Sequence, residues 1–172
     1  VPEVDKILSP YAQKSYNKYY EEFLKYSDPS WEGREERARI YAWEKVCRDC
    51  DQGWQGIEYK LNTVGSSRGD YPFVTVTLGL GTGRFEKMIS KSLLKVHMGG
   101  QGKAGHKKPV LFPKIVFLYD EEIHGDGKEC EDVFEAGVAC SAKTMYPDWL
   151  SMSGQGYISS MYKKYKKVIS PM

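Results

Sequence analysis

Apolar positions recur at helical spacing over the first sixty residues and then change to a shorter period. With Ser9 as N-cap and Pro10 as first helical residue, Tyr16, Tyr19, Tyr20, Phe23 and Leu24 share one face, and Asp28-Pro29 ends the helix. After the break at Trp31-Glu32-Gly33, a longer helix is predicted from about Glu35 to Asn62. Its apolar stripe comprises Ala38, Ala42, Val46, Cys50, Trp54, Ile57 and Leu61. Gly53 and Gly56 either weaken that helix or allow a close helix contact. The two segments read as a helical hairpin.

The turn residues Gly65 to Asp70 lead into Pro72-Phe73-Val74-Thr75-Val76-Thr77-Leu78, a β-branched, alternating strand. A glycine loop, Gly79-Leu80-Gly81-Thr82-Gly83, precedes a helix whose face carries Phe85, Met88, Ile89, Leu93 and Val96. The polar loop from Gly99 to Lys108 then gives way to an apolar run, Val110 to Tyr119, long enough for a buried strand. Pro113 within that run marks an edge or a bulge. Strand, helix and strand together predict a parallel pair with a right-handed crossover, hence an α/β fold. Asp120 to Lys128 reads as a charged turn, and Cys130 to Thr144 as a helix with Val133, Phe134 and Val138 inward, stopped by Pro147. Asp148 to Met152 reads as a short turn before a Tyr- and Lys-rich segment.

At 172 residues the chain suits a single domain. A hydrophobic content of 41% and a charged content of 28% match soluble proteins, and no apolar run approaches the roughly 20 residues of a membrane span. The net charge of +2 is too small for a nucleic-acid footprint, and the basic stretch Met161 to Lys167 reads as a solvated face. Val1-Pro2-Glu3-Val4 has neither an initiator methionine nor a secretory leader pattern, which predicts a fragment, and Val168 to Met172 reads as the opening of an element that is cut off.

Candidate chemistry is sparse. Cys47 and Cys50 lack the second close pair of a zinc ribbon, so reduced cysteines beside a helix core and a cytoplasmic setting are expected. His97, His106 and His124 have no metal-ligand spacing, and no metal site is predicted. The acidic runs at Asp120-Glu121-Glu122 and from Glu129 to Asp132 read as solvated. The glycine loop fits neither the dinucleotide fingerprint nor the P-loop, which leaves a tight structural turn and an anion cradle both open. The stretch Val138 to Asp148, VACSAKTMYPD, is too polar and aromatic for plain core.

Several segments, in order, carry a family resemblance: VDKILSPYAQKSY at 4–16, YKLNTVGSS at 59–67, PFVTVTLGLGTGRFEKMISKSLLKV at 72–96, LFPKIVFLYDEE at 111–122, CSAKTMYPDWLS at 140–151 and ISPM at 169–172. The sequence resembles the catalytic subunit of the anaerobic, glycyl-radical ribonucleoside-triphosphate reductases. The resemblance implies part of a ten-stranded α/β barrel, entered through a helical hairpin over 1–65 with barrel elements over 66–172. It implies conversion of ribonucleoside triphosphates to deoxyribonucleoside triphosphates for DNA synthesis by thiyl and glycyl radical chemistry. Formate or a redoxin would be the reductant, a radical-SAM enzyme the activator and a homodimer the assembly, with no nucleic acid or membrane as partner.

In the family, ISPM is followed by the thiyl cysteine. The glycyl radical and a structural metal are expected further on, and nucleotide effectors bind a region expected before Val1, so no cofactor is expected within these residues. By position in the motifs, Cys140 is a candidate catalytic residue as active-site wall, with barrel support as the rival role. Asn62, Ser66, Met145, Tyr146 and Pro147 are candidate substrate contacts, and Ser67 lies beside them. The alternative from another class is a catalytically inactive half-barrel that binds nucleotides or serves as an interaction module.

Overall fold

A computed structural model describes residues 1–63, 65, 69–70 and 72–168. The hairpin is present, as α1 (Val4–Tyr26) and α2 (Arg34–Thr63). Phe23 packs on Tyr41 with ring centroids 5.3 Å apart, and the Tyr19 hydroxyl donates to Asp49 Oδ2 at 2.5 Å. That carboxylate, by accepting the phenolic proton, pushes the Tyr19 pKa up to about 12. At the turn, the Arg34 guanidinium donates to the Leu24 carbonyl and to Ser27 Oγ, which closes the end of α1.

The helix starts earlier than its capping signals predict. α1 begins at Val4, and Pro10 lies inside it rather than at its first turn. Val4 and Asp5 are both buried, so tertiary anchoring of the first turn overrides the local Ser9-Pro10 signal, at the cost of the backbone bond that Pro10 cannot donate. In α2 the buried residues are Ala38, Ala42, Val46, Trp54 and Glu58. The four-residue step continues onto Glu58, and Ile57 turns out to solvent.

The α/β core follows with β1 (Thr75–Leu78), α3 (Arg84–Gly99), β2 (Lys114–Tyr119), a helical turn α4 (Glu121–His124), α5 (Glu131–Thr144), β3 (Asp148–Ser151) and α6 (Tyr157–Tyr165). β1 pairs parallel to β2 with Thr75 opposite Lys114, and β2 pairs parallel to β3 with Val116 opposite Asp148. The order β1-β2-β3 puts β2 in the centre, which is why its run is apolar on both faces. Ile115 and Phe117 join the larger core with Leu78, Ile89 and Leu93, while Val116 and Leu118 pack with Leu80 and Met152 on the other face.

Four expectations change here. The stretch at 148–151 is a strand and not a turn; Asp148, Trp149 and Ser151 are exposed on this outer strand, so the chain shows no apolar alternation to betray it. The charged segment after β2 holds a helical turn, because the Asp120 carboxylate accepts the Glu122 N–H as an N-cap. Val138 is exposed, while Val133 and Cys140 carry the buried face of α5. Pro113 sits just before β2, after a cis peptide with Phe112, and not within it. No helix among the described residues is long and apolar enough to cross a membrane.

Gly53 and Gly56 do not mark a close helix contact, since a Cβ built at either meets nothing within 4 Å. Both therefore only weaken α2. Gly53→Ala and Gly56→Ala should each raise the unfolding free energy by about 0.5–1 kcal/mol in urea denaturation; a loss of stability in either would show that a close contact had been missed.

Candidate functional site

The glycine loop between β1 and α3 does cradle an anion, and that anion belongs to the chain itself. Asp5 Oδ2 accepts the N–H groups of Gly79 at 3.0 Å and Gly81 at 3.2 Å and the Ser90 hydroxyl at 3.3 Å, while Oδ1 accepts the Lys6 N–H. Burial pushes the Asp5 carboxyl up from its ordinary value, and these donors pull back against it. Gly79 has a φ of 119°, and a Cβ there would stand 2.8 Å from the Leu118 carbonyl oxygen. Only glycine fits.

The loop carbonyls are held from the opposite side. His124 Nε2 donates to Gly79 O at 2.8 Å, its Nδ1 accepts the Asp120 N–H at 3.0 Å, and Cys130 Sγ lies 3.7 Å from Gly81 O. Those partners assign His124 the neutral imidazole tautomer. Burial lowers its pKa below the ordinary histidine value accordingly.

A second buried polar cluster joins α2, α3 and the turn after α5. Glu58 and His97 are 0% and 1% exposed, with Nδ1 and Oε1 2.9 Å apart. Gln101 Nε2 donates to Glu58 Oε2 at 3.3 Å. The Tyr146 ring stands perpendicular to the imidazole at a centroid distance of 5.6 Å. His97 Nε2 is buried with no hydrogen-bond partner among the described residues.

This cluster collects most of the sequence candidates. Asn62, one turn beyond Glu58, donates from Nδ2 to Glu58 O and Phe112 O, and accepts at Oδ1 from the Leu111 and Phe112 N–H groups. Both amide protons and both acceptor positions are thus spent on the chain, making Asn62 a clamp on the loop before β2. Cys140 is fully buried on α5, with Sγ 3.5 Å from Thr144 Oγ1. Burial raises its thiol pKa, and the Glu58 charge adds to the rise. Tyr146 and the buried Pro147 are joined by a cis peptide, and Thr144 Oγ1 accepts the Tyr146 N–H at 3.3 Å. Met145 is 88% exposed with a φ of 64° and stands apart from the cluster. Ser66 and Ser67 lie outside the described residues.

Glu58 and His97 escaped the sequence reading, although the four-residue step of α2 points at Glu58 and His97 follows Val96 on the buried side of α3. A cavity of about 550 Å³ between α2, α3 and α5 is lined by four cations, Arg84, Lys87, Lys91 and Lys95, against three carboxylates, Asp51, Glu129 and Asp132. Lys87 and Lys91 pair with Asp132 and Lys95 with Asp51, while Arg84 lies over the Trp43 ring at 3.7 Å. No group of three or more His, Cys, Asp or Glu side chains among the described residues is placed to hold a metal ion.

A parallel sheet packed under helices, with a buried polar cluster at the α5 to β3 turn, defines an α/β protein of the kind that the quoted motifs imply. The sequence model of anaerobic ribonucleoside-triphosphate reductase matches residues 1–172, and the chain belongs to that family. It is 37% identical over 150 residues to the anaerobic ribonucleoside-triphosphate reductase of Enterobacteria phage T4, covering 86% of this chain and 23% of the relative. The Haemophilus influenzae and Escherichia coli proteins of the same name are 34% and 31% identical over 161 residues, each covering 93% of this chain. The chain spans about a fifth of the length of these curated relatives.

His124 gives the fold a pH dependence of definite sign. Its folded-state pKa is depressed, so its contribution is fully present above the unfolded value near 6.5 and is lost as pH falls through that value toward the folded one. Thermal unfolding between pH 7.5 and 5.5 should show a falling midpoint that flattens in His124→Gln; identical slopes would remove His124 as the cause.

Proposed function

We propose that residues 1–172 work as part of a reductase subunit that converts ribonucleoside triphosphates to deoxyribonucleoside triphosphates, with the radical chemistry carried elsewhere in the polypeptide. The observation that carries this reading is the family match over the whole of 1–172. In it, β1, β2 and β3 are three parallel strands of a ten-stranded α/β barrel. The doubly buried β2 agrees with such a setting. Nucleotide substrate, formate or a redoxin as reductant, a radical-SAM activator and a homodimeric assembly belong to the same proposal.

The residues on hand serve this chemistry by holding a wall in place and keeping it dry. Cys140 packs behind the turn at Met145 to Pro147, and its partner Thr144 fixes the Tyr146 backbone at both its N–H and its carbonyl. A serine at 140 would bury a stronger hydrogen-bonding group beside Thr144 and compete for those bonds.

The test is anaerobic turnover of a ribonucleoside triphosphate by the full-length polypeptide containing these residues, after activation. Cys140→Ser should lower turnover several-fold with far-UV circular dichroism unchanged. Wild-type turnover in the variant would return Cys140 to a packing role, and no turnover in the wild type would overturn the reductase reading.

A further inference from the structure

Glu58 and His97 form a carboxylate–imidazole pair, both side chains out of water, inside an otherwise apolar core. A buried pair of this kind adds little stability over apolar side chains of the same volume, because desolvation offsets the attraction. Its effect is geometric. Glu58 is held by Gln101 on one oxygen and by His97 on the other, so the imidazole ring is fixed about its Nδ1 contact. The ring so fixed meets the Tyr146 ring at right angles, at the turn from α5 into β3.

Resting on the reductase reading above, we propose that Glu58 and His97 are a positioning pair: through the edge-to-face contact with Tyr146 they set the course of the chain from α5 into β3, and thereby the rate of the reaction and not the affinity for its substrate. Three observations converge on it. Among the described residues the Tyr146 backbone is tied locally, to Thr144, and its ring makes the contact with His97 of α3. Pro147 beyond it is buried and leads directly into Asp148, which pairs with Val116 of the central strand, so a displaced ring shifts β3. Asn62 ties the carbonyl of Glu58 to the loop before β2, so the same turn of α2 also holds the entry to the strand that β3 pairs with.

The decisive variant replaces the pair by non-aromatic apolar side chains of similar volume, Glu58→Met with His97→Leu, in the full-length polypeptide. The swap should leave the thermal midpoint close to wild type. It should lower kcat about tenfold or more while KM stays within about twofold, as misplacement of a supporting element does. Hydrogen exchange of the amides at 145–151 should rise in the same protein while that of β1 is unchanged. Wild-type kcat, or unchanged exchange at 145–151, would overturn the positioning role. Should the double variant fail to fold, Tyr146→Leu takes its place, since the half-buried ring is removable without leaving a charge behind; wild-type kcat there would overturn the role equally. The exchange readout is independent of turnover, so a wild-type polypeptide that reduces no nucleotide would sink the reductase reading while the exchange comparison still decides whether the pair positions the turn.

Discussion

A carboxylate out of water must be met by donors where it lies, and the packing of this chain is organised around how Asp5 is met. Two backbone amides of the glycine loop, one serine hydroxyl and the next residue's own amide converge on it. The first three belong to the strand-to-helix turn and to α3, so this side chain ties the start of the helical hairpin to both. The loop that receives it is itself braced by His124 and Cys130, which extends the connection to α4 and the start of α5. Removing the acid would leave four donors to be satisfied in a space with little room for water.

Glu58 repeats the principle with a different solution. There the donors come from side chains, His97 and Gln101, and the pair ends in an imidazole whose second nitrogen has no partner among the described residues. Asp5 is closed on itself, with every oxygen occupied, and is therefore a fastening. Glu58 and His97 leave one polar atom unspent beside an aromatic ring, in the segment that also carries Cys140. The contrast separates the two glycine-loop readings as well: geometry able to hold a phosphate is spent on an internal carboxylate.

Much of the fold is legible in the residues, and the exceptions share a cause. The hairpin, β1, α3 and α5 follow from periodicity, and β2 from an unbroken apolar run buried on both faces. β3 is invisible because an exposed outer strand needs no apolar alternation; only its pairing with β2 defines it. The start of α1 is misread because Ser9-Pro10 is a local signal, whereas Glu3 and Asp5 are held by residues more than seventy positions away. At the candidate site, Cys140, Tyr146 and Asn62 are marked by motif, while Glu58 and His97 look like ordinary charged and polar residues until the packing of α2 on α3 removes both from water together.

The distance along the chain between Asp5 and its partners has a consequence for synthesis. Asp5 and Gly79 are separated by 74 residues, and Asp5 and Ser90 by 85. A ribosome adds roughly 5–20 residues per second, so α1 emerges several seconds before the loop that receives its acid. Over that interval the carboxylate stays hydrated, and the apolar side chains around it have no reason to close. The hairpin can form early, from contacts between its own two helices, but its docking waits for α3. Docking of α1 thus requires a loop and a helix translated after it, so Asp5 leaves water only once Gly79, Gly81 and Ser90 have been made.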